Sequence, residues 1–144
     1  MAIPHIMITP EDILETMDAA VQAVCERTFL QERPNATDSK LTSFVVCSMP
    51  YSTVNRTLGE RDDWWLDVTV CFEIYVADRK TRGNPKEFNQ PAMKRLRTAL
   101  NGVFPIMDGE RRFKIDFPRT VIPASSDGNG YHFTRIQAKM TTMV

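Results

Sequence analysis

The chain has 144 residues, and its 18 basic and 18 acidic side chains give a formal net charge of zero. This balance excludes a global field that would draw the protein to nucleic acid or to anionic lipid, so any electrostatic role must be local. No stretch reaches the roughly 20 apolar residues of a membrane-spanning helix, and the start lacks the basic and apolar regions of a signal peptide. We therefore expect a single domain over residues 1–144, located in the cytoplasm of the cell that makes it.

The first half of the chain predicts one helix and two strands. Thr9 and Pro10 precede two carboxylates, as at a helix N-terminus, and apolar residues at helical spacing continue to about Phe29. A strand is predicted over residues 41–49, where aromatic and β-branched residues precede a proline. Because residues 51–63 are polar and charged, we expect them to form an exposed and mobile excursion before the next strand.

The second strand shows a long, regular alternation of apolar and polar residues from Trp65 to Val76. Side chains alternate between the two faces of a strand, so this pattern predicts one buried face. Its apolar members are Leu66, Val68, Val70, Phe72, Ile74 and Val76. At roughly 3.3 Å per residue the strand spans on the order of 40 Å, so it crosses the whole domain or projects beyond it.

The second half predicts another helix and two more strands. Residues 77–86 are expected to form a mobile, charged connection, and the helix that follows begins near Asn89 or Gln90 and ends near Gly102. Strands are predicted around residues 113–117 and from Tyr131 to Thr141, separated by a turn rich in Gly and Asp. The order helix, strand, strand, helix, strand, strand is typical of an α+β fold, in which an antiparallel or mixed β-sheet is packed on one face by two α-helices.

The sequence contains no constellation that identifies a catalytic, cofactor-binding or metal site. His5 and His132 lie near opposite ends of the chain, and neither has a partner at metal-ligand spacing. The three cysteines, Cys25, Cys47 and Cys71, are widely separated and are predicted to be thiols of the core. We therefore predict neither an enzyme nor a protein that needs a cofactor or a metal.

Two features are candidate contact surfaces. The adjacent Trp64 and Trp65, with Tyr75 further along the strand, form a candidate oligomer interface, because aromatic residues are enriched at interfaces. A basic segment that contains Glu87 as its single acid holds seven cations: Arg79, Lys80, Arg82, Lys86, Lys94, Arg95 and Arg97. These cations either form the ordinary charged outer face of an amphipathic helix and its preceding loop, or contact a phosphate backbone or an acidic partner.

The order and composition of these segments resemble the tail terminator, or tail completion, proteins of long-tailed bacteriophages. The resemblance is carried by the amphipathic opening helix, a short strand, the Trp-led strand that ends in residues 67–76, a charged helix, and a late strand that begins with residues 131–136. It implies a minor tail protein of a phage or prophage, without enzymatic activity, that assembles as a homo-oligomeric ring, commonly a hexamer. Such a ring caps the tail tube and joins it to the head.

The resemblance also implies partners and a location. The partners are other copies of the chain, tail tube proteins and head-completion proteins; the location is the cytoplasm of the bacterial host during assembly and then the virion tail. An edge of the long strand could pair across a subunit boundary, and such head-to-tail contacts close into a ring if the rotation allows. The basic segment would suit a channel for DNA, where cations contact the phosphate backbone without reading sequence.

Besides a structural subunit of some other assembly, two other classes of function stay open from the sequence. A small α+β enzyme or ligand-binding domain would be identified by a pocket with perturbed carboxylates. A stand-alone nucleic-acid-binding or regulatory domain would combine the basic segment with stacking by Tyr75, Phe88 or Tyr131, and its binding would fall steeply with salt.

Overall fold

The structure, a computed structural model, is a mixed α+β fold with two helices and a mostly antiparallel sheet. It describes residues 10–25, 28–30, 42–49, 53–57, 64–81, 84–109, 113–128 and 130–142. The elements are α1 (Pro10–Gln22), β1 (Thr28–Leu30), β2 (Ser43–Ser48), β3 (Thr53–Thr57), β4 (Trp64–Ala77), β5 (Arg79–Thr81), β6 (Asn84–Glu87), α2 (Gln90–Asn101), β7 (Ile106–Met107), β8 (Phe113–Ile115), β9 (Thr120–Val121), β10 (Ser125–Ser126) and β11 (Tyr131–Thr142).

Two long antiparallel strands, β4 and β11, form the centre of the sheet. They pair without a break from Asp67 opposite Thr141 to Ala77 opposite Tyr131. The other edge of β4 is paired first by β3 and then by β2. The other edge of β11 is paired in turn by β10, β9 and β8. Strand β1 joins β2 in parallel, β7 joins β8, and β5 and β6 form a separate hairpin.

The main core lies between the helices and one face of this sheet. Residues of α1, of α2 and of β4 belong to a single apolar cluster, in which Met17 and Phe72 are fully buried. The members from β4 are Val70, Phe72, Ile74 and Val76, which confirms the predicted buried face there. The side chains of Leu66 and Val68 lie outside the described residues. The period-two alternation therefore identifies the face on which the helices pack.

Helix α2 begins where the sequence predicts. The side chain of Asn89 accepts a hydrogen bond from the backbone N–H of Ala92, at 3.4 Å, and so caps the first turn. Pro91 lies within this first turn, where its missing N–H leaves no intrahelical bond unmade. Gly102 follows the last helical residue, as expected.

The predicted order of six elements is wrong, because the described residues form six strands between the helices and five after α2. Residues 51–63 contain β3, whose five residues pair with Trp64–Val68, the part of β4 that β2 does not reach. Residues 77–86 contribute most of the β5–β6 hairpin. Both segments form strands for the same physical reason: the backbone N–H and C=O groups of an extended segment need hydrogen-bond partners, and a neighbouring strand supplies them. The predicted mobility of these two segments remains a prediction.

The first helix is also shorter than predicted. It ends at Gln22, and Phe29 instead belongs to β1, which pairs in parallel with β2. The hydroxyl of Thr28 donates a hydrogen bond to the carboxylate of Asp18, which links β1 to the helix. A β-branched residue such as Thr28 also favours a strand over a helix terminus.

Candidate interaction surfaces

The basic segment divides between the β5–β6 hairpin and α2. Arg79 opens β5, and its Nε lies 3.6 Å from the Oε2 of Glu87 on β6, which partly neutralises it. The side chains of Lys80, Arg82 and Lys86 lie outside the described residues. The hairpin is therefore tied across its ends by an exposed ion pair, which contributes little to stability.

Helix α2 carries the other three cations of the segment. Lys94 and Arg95 are adjacent and exposed on its outer side. Arg97 is half-buried and lies between the buried Met93 and Leu100 on the inner stripe of the helix. Its Nε is buried and has no hydrogen-bond partner among the described residues. The structure thus brings Lys94 and Arg95 to one accessible face and holds Arg97 apart from them.

The three aromatic residues of the predicted oligomer interface are not brought together. Trp64 and Trp65 begin β4, opposite Thr57 and Arg56 of β3, and their side chains lie outside the described residues. Tyr75 lies about 30 Å further along the same strand, at roughly 3.3 Å per residue. It is only 6% exposed. Tyr75 therefore does not contribute to the outer surface of this subunit.

Tyr75 belongs to a second cluster, on the face of the sheet opposite the helices. Its ring stacks on Phe44 at 4.6 Å and on Phe133 at 5.3 Å between centroids. Phe29 and Tyr131 meet Phe44 edge to face. The period-two pattern of β4 predicts that this face is polar and exposed, and for Tyr75 that prediction is wrong. The aromatic partners come from β1, β2 and β11, so period two within one strand does not reveal them.

The same face becomes polar beyond the aromatic cluster. Glu73 and Arg135 are direct cross-strand neighbours, and their side chains form an ion pair with Nη2 and Oε2 3.3 Å apart. The hydroxyl of Tyr75 donates to the same Oε2 at 3.3 Å. This network joins β4 to β11 on the face that the helices leave uncovered.

The outer edge of β11 carries an irregular segment that the sequence did not predict as a contact surface. We call residues 116–127 the edge ribbon. Its backbone donates hydrogen bonds to β11 from Asp116, Arg119 and Ile122. Pro118 and Pro123 interrupt it, which is why it forms only the short strands β9 and β10.

The edge ribbon exposes three large apolar side chains. Phe117 is 62% exposed, Val121 44% and Ile122 41%. The strand predicted around residues 113–117 includes Phe117, but only Phe113 and Ile115 of its alternating apolar residues are fully buried. Strand β8 ends at Ile115, two residues before Phe117 and three before Pro118. The signal available in the sequence is the position of these apolar residues next to prolines: Phe117 directly precedes Pro118, and Val121 and Ile122 directly precede Pro123.

A buried polar pair closes one end of the main core. Nδ1 of His132 on β11 lies 2.5 Å from Oδ1 of Asp78, just after β4. The side chains of Asp78 and His132 are 3% and 15% exposed. The imidazole stacks on the ring of Phe88 at 4.8 Å, next to the N-terminus of α2. His132 thus joins the ends of the two central strands to the segment that leads into α2.

The three cysteines are buried as free thiols, as the sequence predicts. Burial raises the pKa of Cys47 from 9.0 to about 12, and it raises the pKa of Cys71 from 9.0 to about 11. Both thiols are therefore protonated at neutral pH and are poor nucleophiles. Within the residues that the structure describes, no three His, Cys, Asp or Glu side chains cluster in a way that could hold a metal ion.

Comparisons with known proteins identify the fold and no more. No protein-family model matches the chain, and no curated protein matches it. Thirteen solved chains match. One of them, whose name is an identifier that states no function, aligns over 96% of this chain and 98% of its own length with a TM-score of 0.62 and 11% identity. This likeness shows a shared fold.

No described helix has the length and apolar character needed to cross a membrane. Among the described residues, two surfaces stand out by their exposure: the edge ribbon, with its exposed apolar side chains, and the cations of α2.

Proposed function

We propose that this chain is a structural subunit of a phage or prophage tail, of the tail terminator or tail completion class. In this role it self-associates as a ring, caps the tail tube and joins it to the head-completion proteins. The order of segments from the opening helix to the late strand supports the class, through the resemblance described above. The observation that carries the proposal is the edge ribbon, because it offers an apolar contact surface at the rim of the sheet.

Strand β4 does not have the free edge through which the sequence analysis expects a contact with a neighbouring subunit. Strand β4 is paired by β11 on one edge and by β3 and β2 on the other, so it is central and has little backbone left to offer a neighbour. The edge ribbon lies on the outer side of β11, where no further described strand pairs with β9 or β10. We therefore assign the proposed subunit contact to the edge ribbon rather than to β4.

The ribbon suits contact through side chains rather than through strand addition. Pro118 and Pro123 lack the backbone N–H that an added strand would use, and prolines on edges protect against indiscriminate pairing. Phe117, Val121 and Ile122 nevertheless remain exposed, so they are the large apolar side chains that the edge ribbon offers to a partner. Three side chains cover less than the roughly 800 Å² per partner of a standard interface, so the ribbon forms the centre of a larger contact.

Light scattering coupled to gel filtration tests this role. The wild type is expected to form an oligomer of discrete mass, and negative-stain images should show rings. The variant Phe117→Ser with Val121→Ser is expected to shift the mass toward the monomer. The matched control is Met107→Ser, since Met107 on β7 is 48% exposed and lies outside the ribbon. An unchanged oligomer in the ribbon variant would refute the assignment of this surface.

A second candidate is a small nucleic-acid-binding or regulatory domain. It is favoured by the two exposed cations of α2, Lys94 and Arg95, on a helix that has no acidic residue. Its test is the fluorescence anisotropy of labelled duplex DNA at several salt concentrations. Affinity that falls steeply with salt would support this candidate, whereas no binding at low salt would reject it.

A further inference from the structure

The two helices carry opposite charge although the chain as a whole is neutral. Helix α1 contains four acidic residues and no base: Glu11, Asp12, Glu15 and Asp18. Helix α2 contains three basic residues and no acid: Lys94, Arg95 and Arg97. This segregation is not required for solubility, because mixed charges on each helix would serve equally well.

Part of the acidity of α1 has a local explanation. Glu11 and Asp12 lie in the first turn, where carboxylates interact favourably with the helix dipole. Asp18 accepts hydrogen bonds from Thr28 and from Gln22. Glu15 has neither explanation, and it lies one turn after Glu11 on the same exposed face. The exposed face of α1 is therefore more acidic than its own fold requires.

The exposed charges on the two helices are free to meet a partner. Glu11, Glu15, Lys94 and Arg95 are all exposed, and none of them forms an ion pair within the described residues. The helices contact different strands, α1 packing on β1, β2 and β7 and α2 on β4. The exposed face of α1 is thus acidic and that of α2 is basic, and neither has an ion-pair partner among the described residues.

We propose that the acidic face of α1 in one copy docks against the basic face of α2 in the next copy. Charge complementarity selects a second copy as the occupant, because this chain itself presents both halves of the contact. The two halves are different surfaces, so the contact is heterologous: after one contact, one copy keeps an unused α2 face and the other keeps an unused α1 face. Repetition then closes a ring or extends a filament. The proposal deepens the self-association proposed above by naming the surfaces that meet.

The α1–α2 contact should affect the rate and the orientation of assembly more than the stability of the oligomer. Exposed ion pairs contribute little each and are screened by salt, whereas complementary charge speeds encounter and fixes orientation. We therefore expect self-association to weaken about tenfold between roughly 0.05 M and 0.5 M salt, where screening shortens the reach of these charges. The apolar edge ribbon would supply a contact that does not weaken with salt.

Charge reversal in two separate variants tests the pairing. The first variant is Lys94→Glu with Arg95→Glu, which makes the exposed faces of both helices acidic. The second is Glu11→Lys with Glu15→Lys, which makes both basic; Glu15→Lys alone serves if the change at the first turn unfolds α1. Circular dichroism confirms that each variant is folded, and light scattering at low salt measures its association.

We expect each variant alone to associate more weakly than the wild type and an equimolar mixture to recover wild-type association, since each acidic α1 or α2 face then meets a basic one. Wild-type association by both variants separately would overturn the α1–α2 contact and leave the proposed ring standing. A wild type that is monomeric at low salt would overturn the ring as well. Loss of DNA binding in the first variant, with self-association intact, would instead assign Lys94 and Arg95 to nucleic acid.

Discussion

Removal of the His132 side chain should destabilise the protein more than its partly exposed position suggests. In the folded state its imidazole lies 2.5 Å from a carboxylate of Asp78 that is 3% exposed. The other oxygen of that carboxylate, Oδ2, is buried and has no hydrogen-bond partner among the described residues. His132→Ala would therefore leave a buried carboxylate without its partner.

The expected cost has two parts. Breaking a buried polar pair by removing one member costs about 3 to 5 kcal/mol. Loss of the stacking between His132 and Phe88 adds about 0.5 to 1.5 kcal/mol. Together these approach the whole stability of a typical domain, about 5 to 15 kcal/mol, so the variant should be marginally folded.

Two variants separate these parts. His132→Phe keeps an aromatic ring against Phe88 and removes only the polar contact, so it should lose most of the pair energy and little of the stacking. Asp78→Asn keeps a hydrogen-bond acceptor for the imidazole and should cost less, about 1 to 2 kcal/mol. Denaturation in urea, followed by circular dichroism, gives each free energy of unfolding.

A double-mutant cycle decides whether the two residues act as a pair. We expect the double variant to be more stable than the sum of the single effects predicts, with a coupling of at least about 1 kcal/mol. If His132→Phe is as stable as the wild type, or if the effects of the two sites simply add, the pair does not hold the ends of β4 and β11 together.

Three further predictions follow from burial and backbone geometry. Because burial raises the thiol pKa of Cys47 to about 12 and of Cys71 to about 11, stability should fall as pH rises from 9.0 toward 11, where the unfolded chain loses these protons and the folded chain keeps them. The slope should be about 1.4 kcal/mol per pH unit for each thiol, and Cys47→Ala with Cys71→Ala should flatten it. Phe72→Ala should cost about 3 to 5 kcal/mol in urea denaturation, since Phe72 is fully buried. Gly130→Ala should cost about 1 kcal/mol in the same assay, because Gly130 has a φ of 91°, although no atom lies within 4 Å of the added carbon.

Each of these three has a result that would contradict it. Rapid reaction of the native thiols with a disulfide reagent at neutral pH would show that Cys47 and Cys71 are not buried. A loss below about 1 kcal/mol for Phe72→Ala would place this ring outside the core, in conflict with the usual cost of removing a buried aromatic side chain. An unchanged stability for Gly130→Ala would mean that the turn before β11 relaxes at no cost.

What the sequence predicts well is set by local periodicity. The buried face of β4 follows from alternation, and the start of α2 follows from the capping residue Asn89 and the proline after it. These signals act within one element, so no knowledge of the neighbours is needed.

What the sequence does not predict depends on pairing between distant segments. Strand β3 forms because β4 extends beyond β2, and Tyr75 is buried because Phe44 and Phe133 arrive from two other strands. The strand predicted around residues 113–117 includes Phe117 at the start of the edge ribbon, since apolar alternation does not show that β8 has already ended at Ile115. The opposite charges of α1 and α2 are visible in the sequence. Which of these charged side chains are exposed is known only once the structure shows which residues of each helix the core buries.

The mass of the wild-type protein in solution, measured by light scattering across a range of concentrations at low and at high salt, tests self-association most directly. We expect an oligomer of discrete mass at low salt that weakens as salt rises, and we expect the ribbon variant Phe117→Ser with Val121→Ser to shift toward the monomer. A strict wild-type monomer at every concentration and at low salt would contradict self-association.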